Sequence, residues 1–202
     1  MKERPILFSG EMVRAILDGR KTQTRRAIKP QPNCVHDNHR WVWLKEKWVD
    51  CPYGQPDDRL WVRETFCDLG AGTIPGRILY RASFNDLDLE MFHQSGHGSP
   101  IWKPSIFMPR WASRILLEIT NIRIERVQDI PEEDAYSEGV FCHTCYGVGL
   151  QNDNEGLYCP TCDGSNIKLF HSLWDAINEK RGFGWDANPW VWIIEFKRID
   201  NG

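Results

Sequence analysis

The chemistry-bearing residues of this 202-residue chain fall in two places. The first is Asp18-Gly19-Arg20-Lys21-Thr22-Gln23-Thr24-Arg25-Arg26, which together with Lys29 sets five basic side chains within ten residues. A lysine and a threonine three positions apart offer more than charge. An amine pushed toward its neutral form by burial and cationic neighbours can act as a base, and a hydroxyl near it can act as a nucleophile. Arg20, Arg25 and Arg26 carry planar guanidiniums suited to phosphate oxygens or base edges. A solvated charged turn is the competing reading. The stretch holds no glutamate, and a helix carrying Glu132, Glu133, Asp134 and Glu138 is the element that can turn a carboxylate toward Lys21.

The second place is Cys142-His143-Thr144-Cys145 and Cys159-Pro160-Thr161-Cys162, two CxxC pairs separated by 13 residues. Each pair offers two thiolates from one knuckle, and two knuckles complete a tetrahedral Zn²⁺ shell with no open position, so the expected cofactor is structural zinc. A redox pair, or cysteines that merely pack, is the alternative a single CxxC would leave open. Cys34, His36, His39 and Cys51 fit no ligand spacing and read as loop residues, and Cys67 as a lone buried thiol.

The formal net charge of −3 makes the basic stretch a local patch and excludes a general attraction to nucleic acid. Ten tryptophans are many for this length; most belong to core and rim, and a few are available to stack on a base. No apolar run is long enough to cross a bilayer, and MKERPILFSG lacks the apolar region of a secretion signal. A cytoplasmic location follows as the expectation, and reducing conditions there favour metal binding over disulfides. The length fits one domain over 1–202 with the cysteine insert at 140–166 inside it.

The elements that must position these residues come next. Ile6-Leu7-Phe8 reads as a strand; Ser9 is placed to cap a helix whose apolar positions are Met12, Val13, Ile16 and Leu17, and Gly19 to end it. Residues 30–57 read as loop with a short strand at 41–44. Strands are expected at 59–66, and at 78–82 after the turn signal Pro75-Gly76. The polar stretch 85–104 reads as a loop. The runs 114–119 and 122–127 flank Thr120-Asn121 and predict either a tight hairpin or one long bent strand. Pro131 opens a short acidic helix. Phe170, Leu173, Trp174 and Ile177 mark an amphipathic helix, and 190–196 a closing strand. Strands dispersed among short helices, without a βαβ alternation, predict an α+β fold: a small mixed β-barrel with flanking helices.

Gly19-x-Lys21-x-x-Thr24-x-Arg26 resembles the GxKxxTxR signature of the ASCH domain family, relatives of the RNA-binding PUA domains. The strand around Asp58-Arg59-Leu60-Trp61-Val62 is similar to that family's GD.L.V segment, with Asp57 where glycine is usual. The acidic run ending at Glu138-Gly139 and the strand from Trp190 resemble its acidic helix and closing strand, and Arg4 to Ser9 with Lys103 to Trp111 resemble its larger bacteriophage and prophage members. The resemblance implies a PUA-like barrel and RNA, a nucleoside or modified DNA as partner. Some bacterial ASCH proteins are amidohydrolases that deacetylate N4-acetylcytidine with a lysine, a threonine and a glutamate. By motif position these are Lys21, Thr24 and Glu138, with Arg20, Arg25 and Arg26 left to bind ligand. A non-catalytic reader of RNA or modified DNA and a metal-independent ribonuclease are the alternatives. Cys145-Tyr146-Gly147-Val148-Gly149 resembles the CxxCxGxG repeat of the DnaJ zinc region, which implies a zinc knuckle and not chaperone activity.

Overall fold

The computed structural model describes residues 1–36, 41–70, 78–94, 99–145, 150–152, 156–159 and 161–199. In chain order the elements are β1 (Glu3–Leu7), α1 (Gly10–Leu17), β2 (Gln23–Ala27), β3 (Cys34–Val35), β4 (Val42–Leu44), β5 (Lys47–Val49) and β6 (Arg59–Arg63). They continue with β7 (Phe66–Asp68), β8 (Ile78–Tyr80), α2 (Asp86–Gln94), β9 (Leu116–Arg126), α3 (Glu132–Ser137), β10 (Leu150–Asn152), β11 (Gly156–Tyr158), α4 (Asn166–Asn178) and β12 (Trp190–Ile199).

The architecture is α+β. A five-stranded sheet in the order β1-β6-β9-β12-β2 forms its centre, and only the β1–β6 pair is parallel. The two long strands β9 and β12 pair along their length, because their alternating apolar residues are buried on both faces. One face carries Ile122, Ile124, Trp192 and Ile194 into a core shared with Val13 and Ile16 of α1. The other carries Val191 and Ile193 against Ala135 of α3 and Phe170 and Trp174 of α4. Each such aliphatic or aromatic side chain contributes roughly 1.5–3 kcal/mol by burial. Residues 114–127 form no hairpin: β9 is a single strand, and its pairing with β12 slips between Glu195 and Phe196, leaving Thr120 as the extra residue of a bulge.

The strands β1 and β2 are the sheet's edges, and no ladder closes it into a barrel among the described residues. The edges nevertheless come within side-chain reach: Arg26 Nη2 on β2 donates to the Leu7 carbonyl on β1 at 2.7 Å.

Two expected loops carry structure. The stretch 30–57 holds the antiparallel meander β3-β4-β5, whose second turn places Lys45 and Glu46 at φ 48° and 64°. That turn geometry normally announces itself as Asn-Gly, and Lys-Glu gives no such signal. The stretch 85–104 holds α2, started by a reciprocal cap in which Asn85 N–H donates to the Asp88 carboxylate and Asp88 N–H to the Asn85 side chain, each at 2.9 Å. Its residues are all at least partly exposed, so no apolar stripe marks it in the sequence. The turn signal Pro75-Gly76 lies outside the described residues. Asp57 takes φ 71°, the left-handed region that glycine adopts most easily, at the position where the resemblance leads one to expect glycine.

Candidate catalytic site and cysteine cluster

The site is built where two helix ends meet. Ser9 caps α1, its hydroxyl accepting from Met12 N–H, and the helix stops in a Schellman arrangement: Gly19, at φ 75°, donates to the Ile16 carbonyl and Arg20 N–H to that of Ala15. Lys21 N–H also donates to the Ala15 carbonyl at 3.0 Å, so the lysine backbone is fixed by the helix end before β2 begins. The helix α3 ends at Glu138, and Gly139 follows at φ 82° with its N–H on the Tyr136 carbonyl. A Cβ at Gly139 would stand 2.8 Å from both Ala15 Cβ and Lys21 Cβ. Glycine is therefore required there twice, for the backbone conformation and for the close approach.

That approach brings Glu138 to Lys21 across 117 positions of sequence. Lys21 Nζ donates to Glu138 Oε2 at 2.9 Å and to the Glu138 carbonyl at 2.7 Å; the lysine side chain is 0% exposed and the carboxylate 4%. Burial pushes the Lys21 amine below its ordinary 10.5, and the charges of Arg26 and Arg25 push the same way. The carboxylate of Glu138 opposes them by charge and by hydrogen bond. An amine held between these influences is poised to give up its proton more readily than a free lysine.

Arg25 holds the other oxygen. Its Nη1 donates to Glu138 Oε1 at 3.1 Å and its Nη2 to Asp134 Oδ2 at 2.7 Å. Asp134 is gripped in turn by Arg123, which also reaches Glu125 and Glu195. Thus a chain of ion pairs runs from the sheet surface to the buried lysine and fixes the orientation of Glu138. Arg25, expected to bind ligand, is fully buried and acts on Glu138.

Arg26 and Thr24 point to the opposite face of β2 from Gln23 and Arg25, as strand alternation requires. Thr24, Arg25, Arg26 and Glu138 line a cavity of about 400 Å³ whose floor is β2. Its walls are Tyr53 and the residues after β5 on one side, and Phe170, Trp174 and Asn178 of α4 on the other. The Thr24 hydroxyl forms no hydrogen bond among the described residues, which leaves it available to a ligand. Nor do Lys21 and Thr24 bond to each other, since the threonine faces the cavity while the lysine turns to the end of α3. The Nε–H groups of Arg25 and Arg26 are buried without a partner among the described residues, a costly state that an acceptor would relieve.

Arg20 sits elsewhere. It donates to the Gly139 carbonyl at 3.2 Å and pairs with Asp18 at 2.9 Å, and its guanidinium lies 5.2 Å from the Phe141 ring centre. With Phe141 and His143 it lines a second cavity that shares Met12, Leu173 and Glu138 with the first. Nothing in the spacing of residues 18–26 separated these three arginine roles. The positions of Asp134, Gly139, Tyr53 and Asn178 in the site were also not legible, although Gly139 just past a helix end is a recognisable stop signal.

The four cysteines converge as expected. All four thiols are buried and their sulfurs lie within 4.8 Å of one another, close enough to hold a metal ion. Cys142 Sγ is 3.7 Å from Cys159 Sγ, and Cys145 Sγ 3.6 Å from Cys162 Sγ. A tetrahedral Zn²⁺ with sulfur at about 2.3 Å needs sulfurs separated by about 3.8 Å, so the set fits. Backbone N–H groups of Cys145 and Thr144 bring the Cys142 thiol down to about 6, the direction that favours a thiolate ligand. The Thr144 and Thr161 hydroxyls join the two knuckles at 2.8 Å. The glycines at 147 and 149 lie outside the described residues. So does His39; Cys51 is buried with its thiol pushed up to about 12 by desolvation, and no metal-holding group forms around it among the described residues. No helix among the described residues is long and apolar enough to cross a membrane.

Comparison of the chain with family models, with curated proteins and with solved structures finds no match in any of the three.

Proposed function

We propose that this chain is a nucleic-acid- or nucleoside-directed amidohydrolase that cleaves the amide of an acylated nucleobase, with N4-acetylcytidine as the model substrate. The observation that carries the reading is the buried Lys21–Glu138 pair, 2.9 Å apart, whose glutamate lines the same cavity as the unbonded Thr24 hydroxyl. Lys21 of the ASCH signature thus meets a glutamate of the acidic helix, which supports membership of that family.

In this mechanism Glu138, the member of the buried pair that lines the cavity, takes a proton from the Thr24 hydroxyl or from a water there and shares it with neutral Lys21, and that oxygen bonds to the amide carbon. The oxyanion that forms is met by the free Nε–H group of Arg26, the arginine that turns to the cavity. The C–N bond then breaks as that proton, held between Lys21 and Glu138, passes through Glu138 to the leaving amine. Where Thr24 is the nucleophile, water hydrolyses the resulting ester. Zinc in the four-cysteine cluster, held by Cys142, Cys145, Cys159 and Cys162, would cross-link the two knuckles and has no position left for substrate.

Incubation with N4-acetylcytidine tests the reading. Release of cytidine and acetate, lost in Lys21→Ala, Thr24→Ala and Glu138→Ala variants that remain folded, is the expected result. Salt-dependent RNA binding without deacetylation would replace the enzyme by a reader, and strand scission by a ribonuclease.

A further inference from the structure

The cations lining the main cavity outnumber its acids, and one of the acids, Glu138, is already paired. Arg25, Arg26, Lys29 and Arg181 face Glu138 and Asp50. Both oxygens of Glu138 are taken by Lys21 and Arg25, and Asp50 Oδ1 accepts from the Trp41 indole at 2.5 Å. By contrast Arg26, Lys29 and Arg181 make no ion pair with any carboxylate among the described residues.

These three side chains come from separate segments. Arg26 leaves β2 and is anchored at one end on the Leu7 carbonyl while its Nε–H stays buried and unbonded. Lys29 follows β2, with its amine 4.7 Å from the Phe183 ring centre, which holds it at the mouth. Arg181 ends the turn Glu179–Arg181 after α4, which Gly182 closes at φ 79°. Arg181 lies near enough that its charge helps to push the Arg26 guanidinium below its ordinary value, behind the larger influence of burial. Bringing like charges together in a partly desolvated cavity is unfavourable by itself, and an anion between them reverses the sign.

We propose that Lys29 and Arg181, with Arg26 beneath them, form a phosphate clamp, so that the ligand of this cavity is a nucleotide and not a free nucleoside or base. The base would pass inward to Thr24 and Glu138 while the phosphate stays at the mouth. A cavity of about 400 Å³ falls in the size range of small-molecule sites. The identity of the base rests on the amidohydrolase reading; the phosphate rests on the unpaired cations alone.

Calorimetric titration of the full chain with N4-acetylcytidine, its 5′-monophosphate and a short single-stranded RNA carrying the same base, alongside hydrolysis of each, tests the clamp. The expected result is that a phosphate-bearing ligand binds at least about tenfold tighter than the nucleoside, the size of one charge-assisted hydrogen bond. Arg181→Gln and Lys29→Gln should each weaken that binding by about tenfold and flatten its salt dependence. Preference for the monophosphate or for the RNA tells a free nucleotide from a strand, and either supports the clamp. Equal affinity for nucleoside and both phosphorylated ligands at low salt overturns it, even where all are deacetylated. Phosphate-dependent binding with no hydrolysis of any of them upholds the clamp and removes the amidohydrolase.

Discussion

Replacing Glu138 by glutamine keeps the shape of the buried junction and removes its charge. In the native protein this one carboxylate neutralises two fully buried cations, Lys21 through Oε2 at 2.9 Å and Arg25 through Oε1 at 3.1 Å. Arg25 retains Asp134 as a second partner at 2.7 Å, whereas among the described residues Lys21 keeps only the Glu138 main-chain carbonyl. The uncompensated charge therefore falls mainly on the lysine. Removing one partner of a buried pair costs about 3–5 kcal/mol, although the intact pair adds little net stability over an apolar replacement. Urea unfolding of Glu138→Gln should show a loss in that range at pH 6. The loss should shrink as pH rises. Without the carboxylate the lysine's folded pKa falls further below its ordinary 10.5. Above that lowered value the folded variant holds a neutral amine, while the unfolded chain still binds the proton up to about 10.4, so stability rises with pH across that window. Wild type should show a weaker rise over a narrower window. A variant that unfolds within about 1 kcal/mol of wild type at pH 6, or whose deficit does not change up to pH 9, would refute the view that Glu138 compensates a buried charge on Lys21.

Gly139→Ala should destabilise by about 2–4 kcal/mol, from a left-handed backbone and a Cβ placed 2.8 Å from Lys21 and Ala15, and should lower kcat more than it raises KM; chemical unfolding and hydrolysis kinetics check both. Metal analysis of protein purified without added metal should give about one zinc per chain, and Cys142→Ser with Cys159→Ser should abolish it and lower Tm. Arg114→Ala strands Glu64, which it holds through two bonds at 2.9 and 3.0 Å, and should cost about 3–5 kcal/mol with the Lys21 site intact, as a folded-state activity assay would show. Asp58 is held below its ordinary 3.8 chiefly by its bond from Arg4, so its contribution is complete above that value and is lost as pH falls through the lowered pKa; Asp58→Asn should flatten the acid limb of a stability–pH curve.

Much of the framework is local, and local patterns are legible. Ser9, the apolar spacing of α1 and Gly19 mark the first helix because caps and left-handed stops are chemical features of single residues. The four cysteines announce their cluster because two knuckles of fixed spacing can meet in few ways. The resemblance of residues 19–26 singled out Lys21 and Thr24, and that of the acidic helix singled out Glu138. Where the signal was absent, the reason is specific. The helix α2 lacks a buried stripe, and the turn at Lys45-Glu46 uses residues that do not favour its geometry.

The sequence by itself determined which residues carry charge, thiol and hydroxyl, and where most helices and strands begin. Tertiary structure alone decided what each does. Whether an arginine binds ligand or holds a carboxylate depends on which face of β2 it leaves and what packs there: Arg25 turns its terminal nitrogens to Glu138 and Asp134, while Arg26 turns to the cavity and makes no ion pair among the described residues. Likewise, Lys21 is a candidate base only because Gly139 lets a second helix end close over it. Burial and pairing are properties of residues distant in sequence, and they set protonation and reach.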